Sequence, residues 1–122
     1  MSYTIGPSED GKYVVLKYWG ELSRKLSIEH VIEAHALGEK LGITQYLVDL
    51  TEARNIDSIP ELYEYAYKDT KSASGLNLNA RVALLVDPED HSHDFVETVL
   101  RNAGHNVTLF RDRDSAISHL LA

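Results

Sequence analysis

The sequence predicts one α/β domain over residues 1–122, a mixed and mostly parallel β-sheet flanked by helices in the order ββαβαβαβα. Three observations predict it. Two strand-like runs at the start flank the turn signal SEDG; short apolar runs YLVDL, ARVALLV and NVTLF follow; and the stretches between those runs carry helical periodicity. Strands that alternate with helices are expected to lie parallel, and the opening hairpin adds an antiparallel strand to the same sheet. No repeat, low-complexity tract or linker divides the chain.

Each element has its own reason. Residues 3–5 and 12–19 flank the turn at 8–11, and in the second run Val14, Leu16 and Tyr18 share one face while Tyr13, Val15 and Trp19 fall partly on the other. Over residues 27–41, at about 100° per residue, Ile28, Val31, Ala34, His35, Gly38 and Leu41 form one arc, with Ser27 as N-cap and Gly42 as the residue that ends the helix. A buried strand is expected over 46–50. The second helix starts at Ser58, because Ser58 and Glu61 have capping-box spacing and Pro60 fits only a first turn; its inward stripe is Ile59, Leu62, Tyr63, Ala66 and Thr70. Residues 72–79 read as a loop and 80–86 as another buried strand. A third helix is expected over 88–103, with Phe95, Val96, Val99, Leu100 and Ala103 inward and Gly104 at its end. A last strand over 106–110 leads to a short helix over 115–121, capped by Asp112 or Asp114.

Composition narrows the function. Hydrophobic residues make up 43% and charged residues 25%, as in ordinary globular domains. There is no cysteine, which removes disulfides, thiolate metal sites and a cysteine nucleophile. No stretch approaches the roughly 20 apolar residues of a membrane span, and the first residues lack a signal-peptide pattern, so the expected location is the cytoplasm. A net charge of −7, with no Lys/Arg cluster apart from the short Arg24-Lys25 pair, opposes phosphate backbones and argues against nucleic acid as a partner.

Chemistry is sought where the strands end. Asp49 and Asp87 sit at or beside strand ends, a pattern that suits a hard cation, but aspartates also serve as caps and turn residues, and that structural reading is favoured. In PEDHSHDF, His91 and His93 would point about 200° apart on a helix and so cannot chelate one ion together, whereas Asp90, His93 and Asp94 could share a face. His35 reads as a half-buried histidine held by one hydrogen bond, with ligand or base as the competing reading. Tyr63, Tyr65 and Tyr67 crowd the second helix, and part of that aromatic surface is expected to reach solvent or a partner. No nucleophile elbow, phosphate-binding glycine loop or zinc-protease helix is present; no catalytic residue and no cofactor are assigned.

The run YLVDLTEARNIDSIPELYEYA, together with VALLVDPEDH, FVETVLRNAG and VTLFRDRDSAISHLL, resembles the STAS domain, the SpoIIAA-like fold of bacterial anti-sigma-factor antagonists. The resemblance covers nearly the whole chain and contains no catalytic motif. It implies a non-enzymatic regulatory or protein-interaction module. In that family an Asp-Ser pair at the strand-to-helix junction carries a regulatory phosphoserine, which places the implied phosphosite at Ser58 and an interaction surface over Asp57, Ser58, Ile59, Tyr63, Tyr65 and Tyr67. Ile59, Pro60 and Glu61 depart from the small residues and glycines usual there, and capping alone also accounts for Ser58. The divergent branch of the family also looks similar to lipid-carrying SEC14-like domains, which implies a small apolar ligand. A metal-assisted hydrolase built on Asp49, Asp87 and His91 or His93 is the remaining alternative, and a symmetric homodimer is compatible with so small a domain.

Overall fold

The structure, a computed structural model, describes residues 2–69 and 79–122; of the loop expected over 72–79, all but Asn79 lies outside them. The acidic turn closes on its own side chains, with Ser8 Oγ accepting from the backbone N–H of Lys12 at 3.1 Å and of Tyr13 at 3.2 Å, and Gly11 takes a φ of 70°, which a residue without Cβ adopts freely. The chain therefore folds β1 (Ser2–Pro7) back antiparallel on β2 (Val14–Leu22), with Tyr3 opposite Tyr18 and Ile5 opposite Leu16. Then follow α1 (Arg24–Leu41), β3 (Gln45–Asn55) and α2 (Ile59–Glu64), which continues as a π-helical turn over Tyr65–Asp69. The remainder is β4 (Arg81–Val86), α3 (Asp94–Asn102), β5 (Val107–Phe110) and α4 (Arg113–Leu121). The strands form one sheet in the order β1-β2-β3-β4-β5, parallel from β2 onward, so the expected class, element order and mixed sheet are all found.

The sheet buries both faces unequally. On one, Leu16, Tyr18, Leu50 and Leu84 join Ala34 of α1 and Val99 and Leu100 of α3 in the larger core. On the other, Leu47, Ala83 and Leu85 lie under Ala116 and Leu120 of α4. Ala83, Leu84, Leu85 and Val86 are all buried, which is why β4 reads as an uninterrupted apolar run rather than an alternating one. β1 and β5 are the edge strands, and the carboxylate of Glu97 in α3 accepts a hydrogen bond from the backbone N–H of Leu109 in β5.

Four expectations need correction. α1 begins one turn earlier, at Arg24: Ser23 is the N-cap, without a side-chain capping bond, and Ser27 lies inside the helix with its hydroxyl donating to the Ser23 carbonyl at 2.6 Å. β3 does not stop at Leu50 but runs to Asn55, with a register irregularity opposite Lys17 and Trp19. α3 begins at Asp94, not Pro88, because turns fill the interval: Asp87 Oδ1 accepts from Glu89 N–H and Asp90 Oδ1 from Ser92 N–H, each at 2.9 Å. Such side-chain bonds compete with helical ones, and Arg111 reinforces them by donating to the carbonyls of Asp87 at 3.3 Å and Asp90 at 3.0 Å. Finally, Phe95 and Leu41 are exposed rather than inward.

Candidate functional site

Backbone and amide bonds fix the connection from β3 to α2. The Asn55 N–H donates to Ser92 Oγ and its side-chain amide to the Ser92 carbonyl, both at 3.1 Å, which ties the connection to the loop before α3. The Ile56 N–H donates to the Leu22 carbonyl at 3.1 Å and thus anchors it to the end of β2. Ser58 then caps α2 through a complete capping box. Its N–H and hydroxyl donate to Glu61 Oε1 at 3.1 and 2.9 Å, and the Glu61 N–H donates to Ser58 Oγ at 3.4 Å. Ser58 is exposed, and Ile56 beside it is 53% exposed, an unusual position for an isoleucine in a small fold. Of the other residues expected on this surface, Tyr67 is exposed and Asp57 half-buried, while the side chains of Ile59 and Tyr63 lie outside those described. Tyr65, expected to leave the inward stripe, packs against the larger core at the start of the π-helical turn, where the wider turn alters the helix phase.

Beneath this junction lies a cavity of about 130 Å³ between the sheet and α1, α2 and α3. Leu16, Val31, Val48, Leu84, Val96 and Leu100 form much of its wall, with Asn55 and Asp57 at the side that faces Ser58. Apolar cavities of about 150 Å³ stay dry and accept ligands such as benzene. His35 and Tyr46 belong to the same wall, their rings 4.6 Å apart. His35 Nδ1 lies 3.0 Å from the carbonyl of Val31 one turn back, the single hydrogen bond the sequence suggested. Burial holds its pKa below the ordinary histidine value, although the Val31 bond opposes that shift.

The strand-end aspartates and the two histidines are not brought together. Asp49 is buried on the α4 side of the sheet, where its carboxylate accepts from the Thr51 N–H at 3.0 Å, the Thr51 hydroxyl at 2.7 Å and Arg113 Nη2 at 2.8 Å, with Lys17 Nζ at 3.9 Å. Burial alone would raise its pKa, but the Thr51 bonds, Arg113 and Lys17 outweigh that and hold it below the usual carboxylate value. Asp87 is exposed in the turn after β4. His91 is exposed and pairs with Asp94 at 2.9 Å, and Arg111 reaches Asp94 as well. His93 is buried, with Nε2 at 2.9 Å from the Ala53 carbonyl and 3.5 Å from Asp90. Asp90 and Asp94 therefore face different partners, and among the described residues no group of three or more such side chains could hold a metal ion.

One cluster escaped the sequence. His30 is buried, its ring stacked on Tyr3 at 3.7 Å and its Nδ1 3.2 Å from the Tyr18 hydroxyl, while the Tyr3 hydroxyl donates to Glu33 at 3.0 Å. Burial lowers the His30 pKa against the pull of Glu33 and Glu29. The available signal was helical spacing: His30 stands one turn before Ala34, the most buried side chain of the arc.

No family model and no curated protein matches the chain. Solved structures do. An anti-sigma factor antagonist from Mycobacterium paratuberculosis is 11% identical, with a TM-score of 0.62 over 99% of this chain and 94% of that one. An uncharacterized protein of the DUF3478 family with a SpoIIAA-like fold, from Shewanella loihica PV-4, is 19% identical, with a TM-score of 0.53 over 98% and 92%. The anti-sigma factor antagonist SpoIIAA in its unphosphorylated form is 14% identical, with a TM-score of 0.52 over 99% of each chain. With the antiparallel opening hairpin and the parallel strands that follow it, these likenesses establish that the chain has a STAS-type, SpoIIAA-like fold.

Proposed function

We propose that this chain is a non-enzymatic regulatory module that docks a protein partner on the junction between β3 and α2, with Ser58 as its switch. The observation that carries the reading is the exposed Ser58 cap beside the exposed Ile56, on a fold shared with two anti-sigma factor antagonists. A phosphate on Ser58 would place nearly two negative charges against the Glu61 carboxylate that now bonds Ser58 N–H and hydroxyl. Glu61 would have to swing away, and the docking surface would change in both charge and shape. The test is capture of partners from the native lysate by the wild-type chain, Ser58→Ala and Ser58→Glu. A protein retained by wild type and Ser58→Ala but lost with Ser58→Glu supports the switch. Capture by none of the three, or equal capture by all, overturns it.

The cavity favours a second reading, a carrier or sensor of a small apolar molecule held between the sheet and its helices. Native mass spectrometry of the protein from its own cells is expected to show a noncovalent adduct that collapses to bare polypeptide on denaturation. Bare polypeptide under native conditions would remove this reading.

A further inference from the structure

We propose that the cavity takes a small aromatic or alicyclic molecule bearing one hydroxyl, of the class of a simple phenol, and that His35 Nε2 is the acceptor for that hydroxyl. The inference rests on the apolar-ligand reading above and deepens it. A backbone carbonyl can only accept, so the His35 Nδ1 that lies 3.0 Å from the Val31 oxygen carries the ring proton. The neutral ring then presents a lone pair at Nε2, and among the described residues nothing donates to it. The contact with Tyr46, 4.6 Å between ring centroids at 33°, holds the imidazole in the wall.

Four other polar side chains of the same wall are already engaged. The Tyr46 hydroxyl donates to the Ile43 carbonyl at 3.3 Å, the Tyr18 hydroxyl lies on His30, the Ser27 hydroxyl donates to Ser23, and His93 Nε2 lies on the Ala53 carbonyl. The cavity is therefore a mostly apolar volume with His35 as one acceptor in its wall, alongside Asn55, Asp57, Tyr65, His105 and Asn106. Its size, about 130 Å³, suits a single six-membered ring. A pure hydrocarbon of that size would desolvate Nε2 without pairing it, whereas a hydroxyl would satisfy it.

The experiment titrates the isotope-labelled chain with benzene and with phenol, which differ by the hydroxyl alone, and repeats both titrations on His35→Phe. Both molecules are expected to shift resonances of the cavity wall, and only phenol to move the His35 Nε2 nitrogen signal. His35→Phe keeps an aromatic ring beside Tyr46 and is expected to reduce the preference for phenol over benzene by about tenfold, with benzene affinity little changed. If neither molecule binds, the apolar-ligand reading falls and this proposal with it. If both bind while the Nε2 signal stays still, or the preference survives in His35→Phe, the role of His35 falls and the cavity reading stands. Should His35→Phe not fold, the wild-type Nε2 signal alone decides.

Discussion

Two residues show how single side chains set local energetics. Asp49 is a buried carboxylate whose partners, Thr51, Arg113 and Lys17, come from three elements. Removing the carboxylate leaves the Thr51 N–H and hydroxyl without their acceptor, whereas Lys17 keeps Glu52 at 3.0 Å and Arg113 is half exposed, so Asp49→Ala is expected to cost about 2 kcal/mol, read from the urea midpoint. A loss below about 0.5 kcal/mol would show that the buried carboxylate is not needed. Gly38 makes the second case. Alanine normally favours a helix over glycine, yet a Cβ at this position would stand 2.0 Å from the Tyr46 hydroxyl and 2.9 Å from the Ile43 carbonyl. Gly38→Ala is therefore expected to destabilise the chain by roughly 1–3 kcal/mol, and a gain in melting temperature would contradict the close approach. The sequence showed Gly38 on the buried arc but not Tyr46 against it, since that contact joins a helix to a strand.

Elements were legible where their signals are local. The turn at 8–11, the Ser58–Glu61 capping box, the glycines after α1 and α3 and the apolar run of β4 all declared themselves from neighbouring residues. Ser58→Ala should accordingly lower stability by about 1 kcal/mol in equilibrium denaturation, through the cap alone. The start of α1 was not legible, because Ser23 and Ser27 stand one turn apart and the true N-cap makes no side-chain bond that would distinguish it. Nor was the extension of β3: in TEARN only Ala53 is buried, and one small residue among polar neighbours looks like a loop. The turns before α3 rest on the side chains of Asp87 and Asp90, residues that equally suit a helix start, with Arg111 reinforcing them from some twenty positions onward, so a local reading gave them to the helix. The site divides in the same way, with the Ser58 junction visible in sequence and the cavity visible only once the sheet and three helices pack together.

For the whole molecule, ionisation gives a signed expectation. His30 and His35 have pKa values lowered chiefly by burial, so the unfolded chain binds their protons first, and stability begins to fall as the pH drops through about 6.5. Asp49, Asp90 and Asp94 also lie below their ordinary value; their contribution is fully present above about pH 4 and is lost on further acidification. Urea midpoints measured from pH 8 to pH 3 should therefore decline in two stages, and a midpoint that rises between pH 7 and pH 5 would contradict the histidine part. The two borders of the sheet differ in kind. On the β5 side, Glu97 occupies the Leu109 amide that an incoming strand would use, and a carboxylate is a poor template for backbone pairing. On the β1 side, the six residues Ser2–Pro7 carry no charged side chain, and the proline that closes the strand removes one donor. Growth by strand addition, whether in crowded solution or on a misfolding route, thus has a direction: it begins beside the amino-terminal strand, and at the opposite border it must first evict an anion.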